Sequence, residues 1–88
     1  MDEMLAVIKL FAGSFVPRGF MACNGQVLQI TQYTALFSLL GTNYGGDGQR
    51  TFQLPDLRPV DAHGHKRDWL GDEPRSIICV EGMYPSRD

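Results

Sequence analysis

The order of apolar and polar positions divides the chain into a strand-rich first third, one short helical stripe, and a polar stretch that ends in a second strand-rich run. From Leu5 to Phe11, Ala6, Ile8 and Leu10 share one parity and Val7, Lys9 and Phe11 the other, which predicts a half-buried strand with Lys9 on the wetter face. Gly13 and Pro17-Arg18-Gly19 end it, because proline removes a donor and glycine admits backbone angles closed to other residues. Phe20 to Cys23, then Asn24-Gly25, then Gln26 to Ile30 read as a β-hairpin, since Asn-Gly between apolar runs supplies the positive φ angles of a type I′ turn.

Thr31 stands where an N-cap belongs, and Tyr33, Leu36, Phe37 and Leu40 fall at i, i+3, i+4 and i+7. This predicts a helix from Thr31 to Leu40, stopped at Gly41. A helix so short is marginal in water, so its stripe must pack on the strands, as core rather than as a ligand box. Tyr44-Gly45-Gly46-Asp47-Gly48 follows, a loop that either turns tightly or offers bare backbone to a ligand. It lacks the lysine and hydroxyl of a P-loop and the spacing of a dinucleotide fingerprint. Thr51 to Pro59 predicts an extended arm anchored by Phe52, Leu54 and Leu57, with Asp56 and Arg58 as a local ion pair.

Residues 59–75 form a polar loop without apolar period, and Trp69 is its exception: a plug onto the core, or an aromatic face for a sugar. Ser76 to Val80 restores a β-rich run, the closing strand, followed by a tail from Glu81. The expectation is one α+β domain over residues 1–88, with a single short helix packed on antiparallel strands and long loops.

Composition narrows the function. At 88 residues and 43% hydrophobic content the chain closes only one core. Its net charge of −2 is interspersed, so it carries no basic stripe for nucleic acid. The longest apolar run, Met4 to Ile8, is far too short to span a bilayer, and no basic-then-apolar leader opens the chain. Synthesis in the cytoplasm without membrane insertion is the expectation. Cys23 and Cys79 each sit in an apolar run and read as free buried thiols. A Cys23–Cys79 disulfide is the alternative if the two runs are neighbours in an oxidising compartment.

Nucleophilic catalysis needs a base beside the nucleophile, and the two histidines, His63 and His65, lie in the polar loop far from either cysteine. With no Gly-x-Ser-x-Gly and no His-Glu-x-x-His, the chain reads as no enzyme. His63-Gly64-His65 carries one sharper idea. In extended backbone, residues i and i+2 point the same way, and three copies about a threefold axis would offer six imidazole nitrogens to one metal ion. The plain alternative is two solvated histidines; no other cofactor is implied.

Six motifs in order are similar to one family: Phe11-Ala12-Gly13, Pro17-Arg18-Gly19-Phe20, Cys23-Asn24-Gly25-Gln26, Leu36-Phe37-Ser38-Leu39-Leu40-Gly41-Thr42, Tyr44-Gly45-Gly46-Asp47-Gly48, and Thr51-Phe52-Gln53-Leu54-Pro55-Asp56-Leu57-Arg58. Over about Leu5 to Arg58 the chain resembles the phage tail collar domain family, whose bacterial members are also called microcystin-dependent proteins. The resemblance implies a non-enzymatic structural, attachment or trimer-assembly module, with other tail proteins and further copies of itself as partners, in a virion or phage-tail-like particle. Members commonly carry tryptophan where Phe20 stands, and many continue into glycine-rich fibre sequence where this chain closes within thirty residues. A short, self-contained form is therefore expected. His63 and His65 are similar in letters to metal-binding pairs of trimeric tail fibres. The alternative function is a receptor- or glycan-binding module using Tyr44, Gly45, Gly46, Asp47, Gly48 and Trp69.

Overall fold

A computed structural model describes residues 3–86. Its elements in chain order are β1 (Ile8–Phe11), β2 (Phe20–Ala22), β3 (Val27–Gln29), α1 (Thr34–Leu40), β4 (Thr51–Gln53) and β5 (Arg75–Cys79). They make an α+β domain of two antiparallel sheets and one short helix. The first sheet has the order β1-β5-β2, so the closing strand lies between the first two; the second sheet is the pair β3-β4. Ile8 faces Ile78 and Phe11 faces Arg75 on one side of β5, and Phe20 faces Cys79 on the other.

The expected hairpin at Asn24-Gly25 does not form. β2 and β3 lie in different sheets, and Asn24-Gly25 is the corner between them. Gly25, at φ +77°, does take the left-handed conformation that Asn-Gly favours. Its N–H donates to the Pro55 carbonyl at 3.2 Å, while the Leu57 N–H donates to the Cys23 carbonyl at 2.8 Å. The arm after the helix thus occupies the place a hairpin partner would have taken, and its first residues become β4 beside β3, with Leu28 opposite Phe52. The β-branched Ile77-Ile78 pair gives β2 a better-packed neighbour in β5.

α1 starts three residues after Thr31. Tyr33 is its N-cap, without a side-chain cap, and the chain from Gln29 makes a turn in which Gln32 N–H donates to the Gln29 carbonyl at 3.1 Å. The end falls as the sequence predicts: the Gly41 N–H donates to the Phe37 carbonyl at 2.7 Å. Leu36 and Leu40 of α1 meet Leu28 and Phe52 of the second sheet, Ile78 of the first, and Cys23, Leu54 and Val80 beside them. The Phe37 and Phe52 rings lie 5.4 Å apart. Helix and both sheets therefore share a single core. Phe52 and Leu54 are the buried anchors of the arm, whereas Leu57 is exposed.

Ile8, Lys9 and Leu10 of β1 are all exposed, so the expected contrast between a dry face and a wet Lys9 face does not hold there. Ala6, at φ +71°, donates to the Cys79 carbonyl at 3.0 Å while Cys79 donates to the Val7 carbonyl at 3.0 Å, so two residues oppose one in a β-bulge. Beyond it, Ile8 and Leu10 share the face of Ile78 but sit at the sheet edge, past the end of the core, and Leu10 is 71% exposed. Lys9 stands on the opposite face, with its ammonium paired to Glu3 and placed 5.2 Å from the centre of the Phe20 ring two strands away. Its aliphatic stem therefore spans β5 and helps bury Ile77 and Cys79, as long amphipathic side chains do.

The same register decides the disulfide question. Cys23 donates its N–H to the Ser76 carbonyl, on the continuation of β2, while Cys79 is registered with Phe20. The runs are neighbours, yet alternation sends the two thiols to opposite faces of the sheet, and both are free and buried.

Truncating the residue at which all three elements meet measures this shared core. Phe52→Ala is expected to lower unfolding free energy by about 3–5 kcal/mol in urea titration, with loss of the whole transition rather than of the second sheet alone.

Candidate functional site

The glycine loop is built against β4. The Gln53 N–H donates to the Gly45 carbonyl at 3.1 Å, and the Gly48 N–H to the Thr51 carbonyl at 2.9 Å. One Asp47 carboxylate oxygen accepts the N–H groups of Gln49, Arg50 and Thr51 at 2.9, 2.9 and 3.0 Å. These bonds occupy the outward edge of β4, which would otherwise offer unpaired groups to another strand. A Cβ on Gly46, at φ +96°, would lie 2.4 Å from the Phe52 Cα, so this contact admits only glycine. Tight turning and edge capping thus account for the backbone of Gly45, Gly46, Asp47 and Gly48, while the Tyr44 side chain is left 48% exposed.

The three amide donors hold the Asp47 carboxyl at about 2, with Arg50 the largest contributor. A carboxyl lowered from its ordinary value of 3.8 contributes stability above pH 4 and loses that contribution as pH falls through about 2.

The arm and the polar loop form a second constellation. Arg58 donates from Nε and Nη2 to the two oxygens of Asp56 at 3.0 and 2.9 Å, a bidentate pair that holds the Asp56 carboxyl at about 2. Lys66 Nζ donates to the Asp56 and Arg58 carbonyls at 3.0 and 3.1 Å. Farther along, Arg67 makes a bidentate pair with Glu73 at 2.8 and 2.9 Å, and Glu73 also accepts the Leu70 N–H, which holds its carboxyl at about 2. Residues 59–75 are thereby tied down by their own charges. Trp69, inside the Arg67–Glu73 clamp, is half-buried.

His63 and His65 lie on an exposed turn, not on extended backbone. Asp61 accepts the His63 and His65 N–H groups at 2.8 and 2.9 Å, the Gly64 N–H donates to the Asp61 carbonyl, and Gly64 has φ +83°. Among the described residues, no group of three or more histidine, cysteine, aspartate or glutamate side chains could hold a metal ion. Burial pushes the Cys23 thiol up to about 11 and the Cys79 thiol in the same direction, which keeps both protonated and unreactive. An open depression of about 460 Å³ lies between the start of α1 and the end of β5, over Leu5, Leu36 and Val80. Tyr44 to Gly48 and Trp69 are not among its lining residues.

A family model for the phage tail collar domain matches residues 6–60. The chain belongs to the phage tail collar domain family. A comparison with curated proteins finds no match. The matched segment contains β1 to β4, α1, the glycine loop and the Asp56–Arg58 pair, whereas β5 and the Arg67–Glu73 clamp lie beyond it. In this collar domain the family signature therefore coincides with the elements that cap and corner the second sheet. Asp61, Arg67 and Glu73 had no separate signal in the sequence beyond their charge. Among the described residues, no helix is long and apolar enough to cross a membrane.

Two measurements check the loop. Gly46→Ala should lower stability by at least about 2 kcal/mol, while Gly71→Ala, at an ordinary φ with open space around it, should fall within about 0.5 kcal/mol of the parent. As pH falls from 4 to 2, the protection factors of the Gln49, Arg50 and Thr51 amides should drop as Asp47 takes up its proton, and Asp47→Asn should remove that pH dependence.

Proposed function

We propose that the chain is a non-enzymatic structural or attachment module that works by surface contacts in a phage tail or a phage-derived particle. The family match carries this reading. It is supported by the way the charged side chains are used: Asp47, Asp56, Asp61 and Glu73 are each spent on backbone amides or an arginine that fix a loop. Such a domain keeps its loops in one shape and presents them to other tail proteins or to further copies of itself, up to a trimer. Sedimentation of lysates from cells expressing the native particle tests it: the protein should travel with tail-like particles. Recovery only at the mass of the free chain contradicts the proposal.

The second reading is recognition of a surface glycan or receptor, favoured by the half-buried Trp69 on its clamped loop and by the exposed Tyr44. The chain has a single tryptophan, so its emission reports this directly. Glycans that bind at the loop should shift or quench Trp69 fluorescence in a saturable way, and a broad panel without effect removes the reading. For His63 and His65, a metal-linked trimer should lose mass in light scattering when a chelator is added; an unchanged mass removes the cage.

A further inference from the structure

Two sheets have four outer edges, and they are treated unequally. Bonds from β5 alternate: Cys79 donates to Val7 of the β1 side, whereas the Ser76 carbonyl and the Val80 N–H bond to Cys23 and Gly19 of the β2 side. The outward groups of β2 are therefore those of Phe20 and Ala22. Phe20 N–H is taken by the Pro17 carbonyl, and the Ala22 carbonyl accepts from the Asn24 N–H and from Gln26 Nε2. β4 is capped by the glycine loop. On β3 the Gln29 carbonyl accepts from Gln32 and Tyr33, which leaves Val27 as its open residue. On β1 the alternation turns the N–H and carbonyl groups of both Ile8 and Leu10 outward, and nothing among the described residues covers them.

The side chains around this open edge have a definite chemistry. Ile8 and Leu10, 42% and 71% exposed, point to one face. On the other face stand Lys9, Phe11 and, registered with Phe11, Arg75. Lys9 is already paired with Glu3, but the Arg75 Nε is buried and has no hydrogen-bond partner. The positive charge of that guanidinium, rather than its buried Nε, is what a carboxylate brought to the face would meet.

We propose that the β1 edge takes an added antiparallel strand from a different polypeptide, with residues alternating apolar and acidic: apolar side chains beside Ile8 and Leu10, acidic ones beside Lys9 and Phe11 within the field of Arg75. Main-chain bonds from Ile8 and Leu10 supply the affinity and the alternation supplies the specificity. A second copy of β1 fits less well, because two-fold pairing about Lys9 sets Lys9 against Lys9 and gathers both Arg75 side chains on one face. The edge is open whatever particle the chain works in, so its test is separate from that of the tail reading.

The test is an amide-resolved NMR titration of the full chain with a capped hexapeptide of alternating valine and glutamate. Controls are the valine–lysine peptide and an N-methylated valine–glutamate peptide. Saturable shifts at Ile8 and Leu10, with at least tenfold slower exchange there and no such gain at Lys9 or Phe11, are expected. The valine–lysine peptide should bind at least tenfold more weakly, the N-methylated one should leave the protection unchanged, and Arg75→Gln should narrow the gap between the two charged peptides. No response at Ile8 and Leu10 at millimolar peptide overturns the proposal. So does equal binding of the lysine peptide, or protection of Ile8 and Leu10 that rises with protein concentration alone, which would assign the edge to a second copy.

Discussion

The fold depends on β5 lying between β1 and β2. Those two strands share no main-chain pairing, and the loop that joins them carries Pro17 and two glycines, so the β-branched run Ile77-Ile78 is what pairs them into one sheet. Because Ile78 and Val80 also belong to the core that receives Leu36, Leu40, Leu28 and Phe52, the same strand fastens the first sheet to the helix and to the second sheet. β5 lies outside residues 6–60, so the segment that identifies the family is completed by a strand beyond the matched residues. Residues 59–75 have to cross from the arm to that strand, and the Arg58–Asp56 and Arg67–Glu73 pairs shape the crossing.

This arrangement gives the polar residues a structural use. Asp47 satisfies three amides of a turn, Asp61 two amides of another, and Glu73 an amide and a guanidinium. Each is bonded strongly enough to set its loop, which is how a small core supports long connections without disulfides. The glycine loop is the clearest case. Its residues read as either a turn or a ligand cradle in sequence, and in the structure they form the cap of a sheet edge whose close backbone approach excludes any side chain at Gly46.

What could be read from the sequence follows the range of the signals. The helix stripe, its stop at Gly41 and the closing strand are local patterns, and each was visible within a few residues. The exchange of partners was not, because Asn24-Gly25 reports only that the chain turns with positive φ; which strand lies beside β3 is decided by the core position of Phe52, more than twenty residues later. The two faces of β1 lack the expected contrast for a related reason. Parity separates two faces but does not say where the core ends, and here the longer reach of Lys9 covers β5 while Leu10 extends past it. At the candidate site, Tyr44, Trp69 and the histidine pair were visible as residue types, whereas the turn that carries His63 and His65 depends on Asp61, whose charge alone gives no such signal.

Native-state hydrogen exchange at increasing urea tests the central role of β5 most directly. If β5 closes the domain, the amides of Ile77, Ile78 and Cys79 exchange only through global unfolding, with the same free energy and urea dependence as Leu28 and Phe52. Exchange of the β5 amides through a smaller opening, while Leu28 and Phe52 stay protected, would contradict the account.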